Sequence, residues 1–94
     1  MYYVYLLESQ SHAGQHYVGF TSQKVDLRLE RHNQGTTPAT ARYRPWRLIW
    51  AGAFLSKEIA LDFERYLKSG SGRAFVSKHF LPREVGEGVS SETQ

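Results

Sequence analysis

The feature that most constrains the fold is a pair of strand-like segments near the start of the chain, joined by a short polar stretch. Tyr2–Leu7 (YYVYLL) and His16–Phe20 (HYVGF) are rich in aromatic and β-branched residues, which favour extended backbone. Residues 8–15 between them are polar and include Gly14, as expected of a loop. A connection of this length most simply pairs the two strands antiparallel, so the chain is predicted to begin with a β-hairpin.

Beyond the hairpin, the pattern predicts three helices and one more strand. Their predicted ranges are a helix at 24–34, a strand at 46–55, a helix at 57–69 and a helix at 73–80. Gly35 is placed to end the first helix, Ser56 to cap the second and Pro82 to end the third, whereas residues 36–45 are expected to form an exposed loop. The order β-β-α-β-α-α belongs to the α+β class, a three-stranded sheet with helices packed on it. The residues alone leave the sheet either mixed or antiparallel.

Size and composition indicate one small domain. Of the 94 residues 40% are hydrophobic, and we expect a folded domain over residues 1–82 and a flexible tail over residues 83–94. There are no cysteines, which excludes disulfides, zinc fingers and thiol catalysis and favours a reducing cytoplasm. We expect neither a membrane span nor a signal peptide, because the apolar runs are short and strand-like sequence follows Met1 directly.

Positive charge is concentrated in the predicted domain. Residues 1–82 carry eleven lysines and arginines against six aspartates and glutamates, a net charge of +5, whereas the tail is acidic. A basic domain in a chain that is 14% aromatic suits a polyanionic partner, nucleic acid first. Small domains are also often mildly basic without such a partner, so charge alone leaves the question open.

Tyr17–His32 (YVGFTSQKVDLRLERH) brings three chemically useful side chains to one strand-to-helix corner. Gly19 is interpreted as the backbone turn that ends the second strand, and its lack of a side chain would also let a phosphate approach this corner closely. Arg28 and His32 are one helical turn apart, on the side that borders the apolar face. A phenol, a fixed cation and an imidazole at the edge of the core suit phosphate chemistry, although a surface arginine and a helix-ending histidine would give the same pattern.

A carboxylate has a similar place on the second predicted helix. The side chains predicted to form its buried face are Ile59, Ala60, Phe63, Tyr66 and Leu67. Glu64 borders this face, where a lone carboxylate can bind Mg²⁺ together with waters and phosphate oxygens. The alternative is an ordinary ion pair between Glu64 and Lys68, which are one turn apart.

Cations and aromatic side chains alternate in and after the predicted loop. They are Arg42, Tyr43, Arg44, Trp46, Arg47 and Trp50. This composition is typical of surfaces that bind phosphates and stack on bases. The alternative is a loop that leads into a buried strand with both tryptophans in the core, an interpretation we prefer for Trp50.

The chain carries, in order, two short tyrosine motifs, an arginine helix and a glutamate helix. The residues are Tyr3-Val4-Tyr5, Tyr17-Val18-Gly19, Arg28 and Glu64. In this order and spacing they resemble the GIY-YIG nuclease family, over residues 2–80. The resemblance is greatest to small single-domain bacterial members, in which the glutamate helix is followed by a run like Leu67–Phe75 (LKSGSGRAF). It implies a three-stranded antiparallel sheet flanked by helices, and metal-dependent hydrolysis of a DNA phosphodiester.

The resemblance also implies a set of site residues. Carried over by position, the catalytic residues are Tyr5, Tyr17, Arg28, His32 and Glu64. Glu64 would bind one Mg²⁺ or Mn²⁺ ion, which acts as a Lewis acid, and Arg28 would hold the phosphate oxygens in the transition state. The general base is left open between Tyr17, which the resemblance favours, and His32, whose ordinary pKa lies nearer neutrality.

The chain departs from the family pattern at a few positions. Tyr3 stands where the first motif has glycine, and valine replaces isoleucine at Val4 and Val18, changes that remove no functional group. Phe20 stands where some members have a lysine after the second motif. A lysine there could help to deprotonate the attacking group, so its absence gives His32 more weight.

Several further side chains are candidate DNA contacts. They are Arg31, Arg42, Tyr43, Arg44, Trp46, Lys68 and Arg73. Because the basic loop offers aromatic faces and a domain this small covers only a short site, we expect single-stranded or branched DNA to be preferred over plain duplex. The alternative function is a nucleic-acid-binding module of the same fold that has lost catalysis. Such a module would be expected to lack Arg28 or Glu64, and both are present.

Overall fold

The computed structural model describes residues 1–81, which form a three-stranded sheet between two layers of helix. The elements are β1 (Tyr2–Ser9), β2 (His16–Thr21), α1 (Val25–Gln34), α2 (Pro38–Ala41), β3 (Trp46–Phe54), α3 (Lys57–Leu67) and α4 (Gly70–His79). Within these residues no helix is both long enough and apolar enough to cross a bilayer. The tail predicted over residues 83–94 lies outside the described residues.

The sheet is antiparallel throughout, with β1 in the centre and the order β2-β1-β3. This confirms the predicted α+β class and decides between the mixed and antiparallel alternatives. Two predicted helix boundaries are confirmed as well. Gly35 ends α1 with a left-handed φ of 80°, and the Ser56 hydroxyl caps α3 by accepting a hydrogen bond from the Ile59 N–H at 3.2 Å.

Alternate residues of β1 face the two helical layers. The core on the α3 and α4 side contains Val4, Leu6, Ala60, Leu67 and Val76. The core on the α1 side contains Tyr5, Leu7 and Trp46, with Tyr17, Val25, Leu29 and Tyr43 packed against them. Tyr5 therefore points into the layer that α1 covers, and this decides the partners of its hydroxyl group.

A one-turn helix, α2, forms inside the stretch that was predicted to be a loop. Pro38 is its first residue, a position where the fixed φ suits a helix and no N–H is needed. The N–H groups of Thr40 and Ala41 both donate to the Thr37 carbonyl at 3.0 Å. The loop prediction failed because this turn is held by the complete burial of Thr40, which depends on partners far away in the sequence.

The buried face of α3 differs from the predicted one. Ala60 and Leu67 are fully buried, as expected, but Ile59 and Tyr66 are 59% and 40% exposed. A helix that packs on both a sheet and a second helix buries the side between those two contacts, and Ile59 and Tyr66 lie outside it. Glu64 lies at the partly buried border of this side.

α4 begins at Gly70, earlier than the predicted start at Arg73. The Ser69 hydroxyl caps it by accepting a hydrogen bond from the Gly72 N–H at 3.1 Å. Gly72 is buried at a point where a Cβ atom would overlap the backbone at Tyr66. The absence of a side chain therefore lets α3 and α4 meet at a close corner.

Gly19 is a residue whose sequence interpretation was wrong. It lies inside β2 rather than at a turn, it pairs with Tyr5, and its φ is not positive. A Cβ atom on Gly19 would overlap the phenol ring of Tyr5. The glycine is required by the close approach of this ring.

Gly19→Ala is expected to lower the free energy of unfolding by about 1–3 kcal/mol, the usual effect of adding an atom to a filled site. Gly70→Ala is the matched control, because its added Cβ would meet no atom within 4 Å, and it should leave stability unchanged or raise it slightly. Urea unfolding followed by tryptophan fluorescence measures both variants. Equal midpoints would contradict the close packing of Tyr5 on Gly19.

Candidate active site

The centre of the candidate site is a buried hydrogen bond between β1 and α1. The Tyr5 hydroxyl lies 2.9 Å from Nε2 of His32, and both side chains are completely buried. The two residues are far apart in the sequence and meet because β1 and α1 pack on each other. This contact fixes the position of both rings.

Thr40 of α2 completes the hydrogen bonds of the imidazole. Nδ1 of His32 lies 2.8 Å from the Thr40 hydroxyl oxygen, and this hydroxyl donates to the Thr37 carbonyl at 3.3 Å. Since the hydroxyl has a single proton, Nδ1–H donates to Thr40 and Nε2 accepts the Tyr5 proton. Both ring nitrogens are therefore occupied. Sequence reasoning missed Thr40, and no spacing or motif could have indicated it.

Burial keeps both members of this pair neutral. Burial raises the pKa of Tyr5, and nearby Arg28 opposes the rise, whereas the charges of Tyr17 and Glu64 add to it. Burial, and secondly the charge of Arg28, lowers the pKa of His32. A neutral phenol that donates to a neutral imidazole is the arrangement that the hydrogen bonds require.

Tyr17 extends the cluster toward the surface. Its ring centroid lies 4.9 Å from that of His32, 6.4 Å from that of Tyr5 and 6.2 Å from that of Trp46. Unlike Tyr5 and His32, it is only half-buried. Tyr17 is thus the member of the aromatic cluster that a bound substrate can reach.

Arg28 places a partly buried cation beside the cluster. Its Nε atom is buried and has no hydrogen-bond partner within residues 1–81. None of the carboxylates in that part of the chain forms an ion pair with it. A buried N–H donor without a partner is costly unless an anion binds there. The site therefore suits a phosphate group.

Glu64 approaches the cluster from α3, in the other helical layer. Its side chain is 19% exposed, and one carboxylate oxygen lies 3.1 Å from Nζ of Lys68, so the predicted ion pair is present. The described part of the chain contains no group of three or more histidine, aspartate or glutamate side chains able to hold a metal ion. A single accessible carboxylate nevertheless fits a hydrated Mg²⁺ or Mn²⁺ ion, which needs few protein ligands when phosphate oxygens and waters complete its shell.

The sequence-predicted catalytic residues are thus brought together. Tyr5, Tyr17 and His32 are in contact, and the charges of Arg28 and Glu64 both act on the Tyr5 phenol. These residues come from both helical layers, since Arg28 belongs to α1 and Glu64 to α3.

The prediction that Trp46 stacks on DNA bases is wrong. Its side chain is only 3% exposed, and its Nε1–H donates to the Thr40 carbonyl at 2.9 Å. Its backbone is also fixed to α1, because its N–H donates to the Asn33 side-chain oxygen at 2.6 Å. Trp46 is a core residue that holds β3 and α2 together. Trp50, for which the core was preferred, is partly buried and stacks on Phe80 at 4.9 Å.

The other candidate DNA contacts lie on the surface of the domain. The exposed cations among them are Arg31, Arg42, Arg44, Lys68 and Arg73. Tyr43 is half-buried, with the Arg42 guanidinium 5.4 Å from its ring centroid and the edge of His12 packed on it. Arg44 is held near the end of α2, since its Nε–H donates to the Ala41 carbonyl at 2.7 Å.

Similarity to known proteins places this geometry in a family. Residues 1–78 match the GIY-YIG catalytic domain. The chain belongs to the GIY-YIG family. A UPF0213 protein of Halalkalibacterium halodurans is 40% identical to this GIY-YIG chain over 73 residues, which are 77% of this chain and 74% of that protein. A UPF0213 protein of Streptococcus pneumoniae serotype 4 is 40% identical over 67 residues, which are 70% of this chain and 65% of that protein.

A solved structure agrees with the fold. The solution NMR structure of a UPF0213 protein from Bacillus halodurans has a TM-score of 0.51 and 35% sequence identity to this chain, and the match covers 95% of this chain and 96% of the other. The resemblance that the motifs predicted is thereby confirmed. Membership in the GIY-YIG family implies a nuclease whose substrate is DNA.

The buried imidazole predicts a specific pH dependence of stability. As pH falls below the ordinary histidine pKa of 6.5, the unfolded chain takes up a proton that folded His32 does not, so stability falls between about pH 7 and pH 5. The slope contributed by one proton is at most about 1.4 kcal/mol per pH unit. His32→Gln removes this titration and should flatten the profile in this window.

The measurement is urea unfolding at a series of pH values for the wild type, His32→Gln and the control His79→Gln. His79 is exposed, so His79→Gln controls for the loss of a histidine that the fold does not bury. An equal slope in the wild type and His32→Gln would show that His32 is not held neutral by the fold.

Proposed function

We propose that this protein is a divalent-metal-dependent endonuclease that cleaves single-stranded or branched DNA in preference to plain duplex. The observation that carries the proposal is the partly buried Arg28, whose Nε has no partner within residues 1–81 and which lies beside the Tyr5 phenol. Such a group can donate to the non-bridging oxygens of a phosphate and stabilise the added charge of the transition state. The lack of cysteines suits a cytoplasmic location.

Tyr17 is the general base in this proposal. His32 is completely buried and both of its nitrogens are hydrogen-bonded, so it cannot accept a proton from a water at the phosphate. Tyr17 is half-buried and borders the surface. Its phenol oxygen accepts the proton of the attacking water as the water oxygen bonds to phosphorus. The bond from phosphorus to the leaving oxygen breaks in the same displacement, and the leaving oxygen takes up a proton from solvent. His32 and Tyr5 act behind it by holding the aromatic cluster in place.

Glu64 would hold the divalent ion, since its charge acts on the Tyr5 phenol at the centre of the cluster. When bound, Mg²⁺ or Mn²⁺ supplies Lewis-acid stabilisation of the phosphate and of the leaving oxygen. Lys68 lies 3.1 Å from the same carboxylate and adds positive charge on this side of the site.

The preference for single strands rests on access to Arg28. Because the Nε atom of Arg28 is buried, the scissile phosphate has to approach the domain closely to meet it. A single strand bends freely, whereas duplex DNA is stiff over lengths much greater than this domain. The exposed cations Arg42 and Arg44 would bind neighbouring phosphates without reading sequence.

The second candidate is a DNA-binding module of the same fold without catalysis. It has the same surface cations, so binding measurements alone do not separate it from the nuclease. The presence of both Arg28 and Glu64 favours the nuclease, since binding without cleavage has no need of a carboxylate that repels phosphate.

Arg28→Ala and Glu64→Gln are each expected to lower cleavage of labelled DNA by at least about a hundredfold, because each removes a group that stabilises transition-state charge. Arg65→Ala and Asp62→Asn are matched controls, an exposed arginine and an exposed carboxylate on α3 that pair with each other at 2.9 Å. Cleavage is measured on single-stranded, flap and duplex DNA with Mg²⁺, Mn²⁺ or EDTA.

Three results of this assay decide the proposal. Activity that needs the metal and is lost only in the site variants supports it. A wild type that binds DNA but cuts none of the substrates favours the binding module. Equal cutting of a duplex and of the oligonucleotide with the same sequence would remove the single-strand preference.

Tyr17→Phe is expected to lower kcat by about two to four orders of magnitude, the usual contribution of a general base. Tyr5→Phe should instead lower the free energy of unfolding by about 1–3 kcal/mol, because it leaves Nε2 of buried His32 without a partner, with a smaller effect on kcat. Steady-state cleavage and urea unfolding measure the two effects. Full activity in Tyr17→Phe together with loss in His32→Gln would assign the base to His32.

A further inference from the structure

A cleft of about 560 Å³ lies on the other side of β2, next to the candidate active site. It opens between the end of β2 that follows the hairpin loop and the corner where α3 meets α4. Tyr17 borders it on the strand side and Lys68 on the helix side. Tyr17 is the proposed general base, and Lys68 pairs with Glu64, the proposed metal ligand. The mouth of this cleft therefore opens beside the candidate active site.

The floor of the cleft is apolar. It is formed by one side chain from each of β1, β2, α3 and α4, namely Leu6, Val18, Leu67 and Val76. The volume is within the range of about 300–1,000 Å³ that is typical of small-molecule sites. A flat aromatic ring with polar edges can bury its faces against such a floor.

The rim of the cleft is polar. Gln15 and His16 lie along it at the start of β2. The Nε2 atom of His16 is buried and makes no hydrogen bond within residues 1–81, although it lies 3.5 Å from a Glu8 carboxylate oxygen. The Gln15 amide both donates and accepts hydrogen bonds, as base edges do.

Two cations stand at the helix side. Lys68 directly follows the last residue of α3, and Arg73 lies in the first part of α4. Both side chains are exposed and line the cleft. They belong to the LKSGSGRAF run, in which the buried Gly72 lets the two helices meet closely enough to bring both cations to one opening. Positive charge beside an apolar floor is complementary to a nucleotide, whose base is apolar on its faces and whose phosphate is anionic.

We propose that this cleft binds one unpaired nucleotide of the substrate strand, next to the phosphate that is cleaved. The base lies on the apolar floor with its edge toward Gln15 and His16, and its phosphate lies toward Lys68 and Arg73. The proposal rests on the proposed nuclease function and supplies a physical reason for the single-strand preference. A base that is paired in a duplex cannot leave its stack to enter the cleft without the cost of unpairing.

The test is a titration that does not depend on cleavage. Thymidine 5′-monophosphate, deoxyribose 5-phosphate and inorganic phosphate are each added to ¹⁵N-labelled protein in EDTA, and amide shifts are followed by NMR. The nucleotide is expected to shift residues 14–18 and 67–73 and to bind about tenfold more tightly than deoxyribose 5-phosphate, since a base contact is typically worth that factor.

Two variants, each with a matched control, test whether the amide shifts come from binding in the cleft. Gln15→Trp fills the rim and should abolish these shifts, whereas Gln23→Trp adds the same ring at an exposed position away from the cleft. Arg73→Gln removes one cation with little effect on packing and should weaken the nucleotide several-fold, whereas Lys78→Gln, exposed on the same helix, should not. Arg73→Gln keeps the test decisive if Gln15→Trp does not fold.

The outcomes separate this proposal from the proposed function. Equal binding of all three probes, shifts confined to residues 42–44, or no shifts at all would overturn the nucleotide cleft, even if the wild type cuts DNA. Nucleotide shifts in the cleft with no cleavage of any substrate would support the cleft and reject the nuclease. Cleavage of single strands that Gln15→Trp lowers at least about tenfold, with duplex cutting unchanged, would support both.

Discussion

The hydrogen bond between Tyr5 and His32 is the interaction on which the site depends. It joins the central strand to α1 inside the core, and Thr40 extends it to α2, so that three elements share one chain of satisfied polar atoms. Loss of one member would leave a buried partner unpaired, at a cost of about 1–3 kcal/mol. The same bond fixes the turn of α1 that carries Arg28. The Tyr5–His32 pair therefore both stabilises the core and positions the candidate site.

The candidate site is divided between the two helical layers, and the edge strand β2 is what separates its halves. α1 supplies Arg28 and His32 on one side, and α3 supplies Glu64 on the other. The absence of a side chain at Gly19 lets the Tyr5 ring pass over β2 toward that edge. A phosphate at this edge would thus lie near the Arg28 cation of one layer and near the Lys68–Glu64 pair of the other.

Local patterns predicted the order of the elements, the glycine end of α1 and the serine cap of α3, because each depends on neighbours in the sequence. The antiparallel sheet and the catalytic set came from the resemblance. What failed depended on distant contacts: the helix at Pro38–Ala41, the burial of Trp46 and the exposure of Ile59. Gly19 was assigned to a turn because its real neighbour, the Tyr5 ring, lies on another strand.

The complete burial of the pair has a consequence for reading related sequences. Tyr5, His32 and Thr40 hold the fold together, so natural selection would retain them in a descendant that had abandoned DNA cleavage. Arg28 and Glu64 make no comparable contribution to the core. Their positions can therefore accept substitutions in a relative that no longer cleaves DNA. An intact tyrosine–histidine pair in a relative is therefore a marker of shared architecture, whereas under the proposed function the arginine and the glutamate together would mark an enzyme.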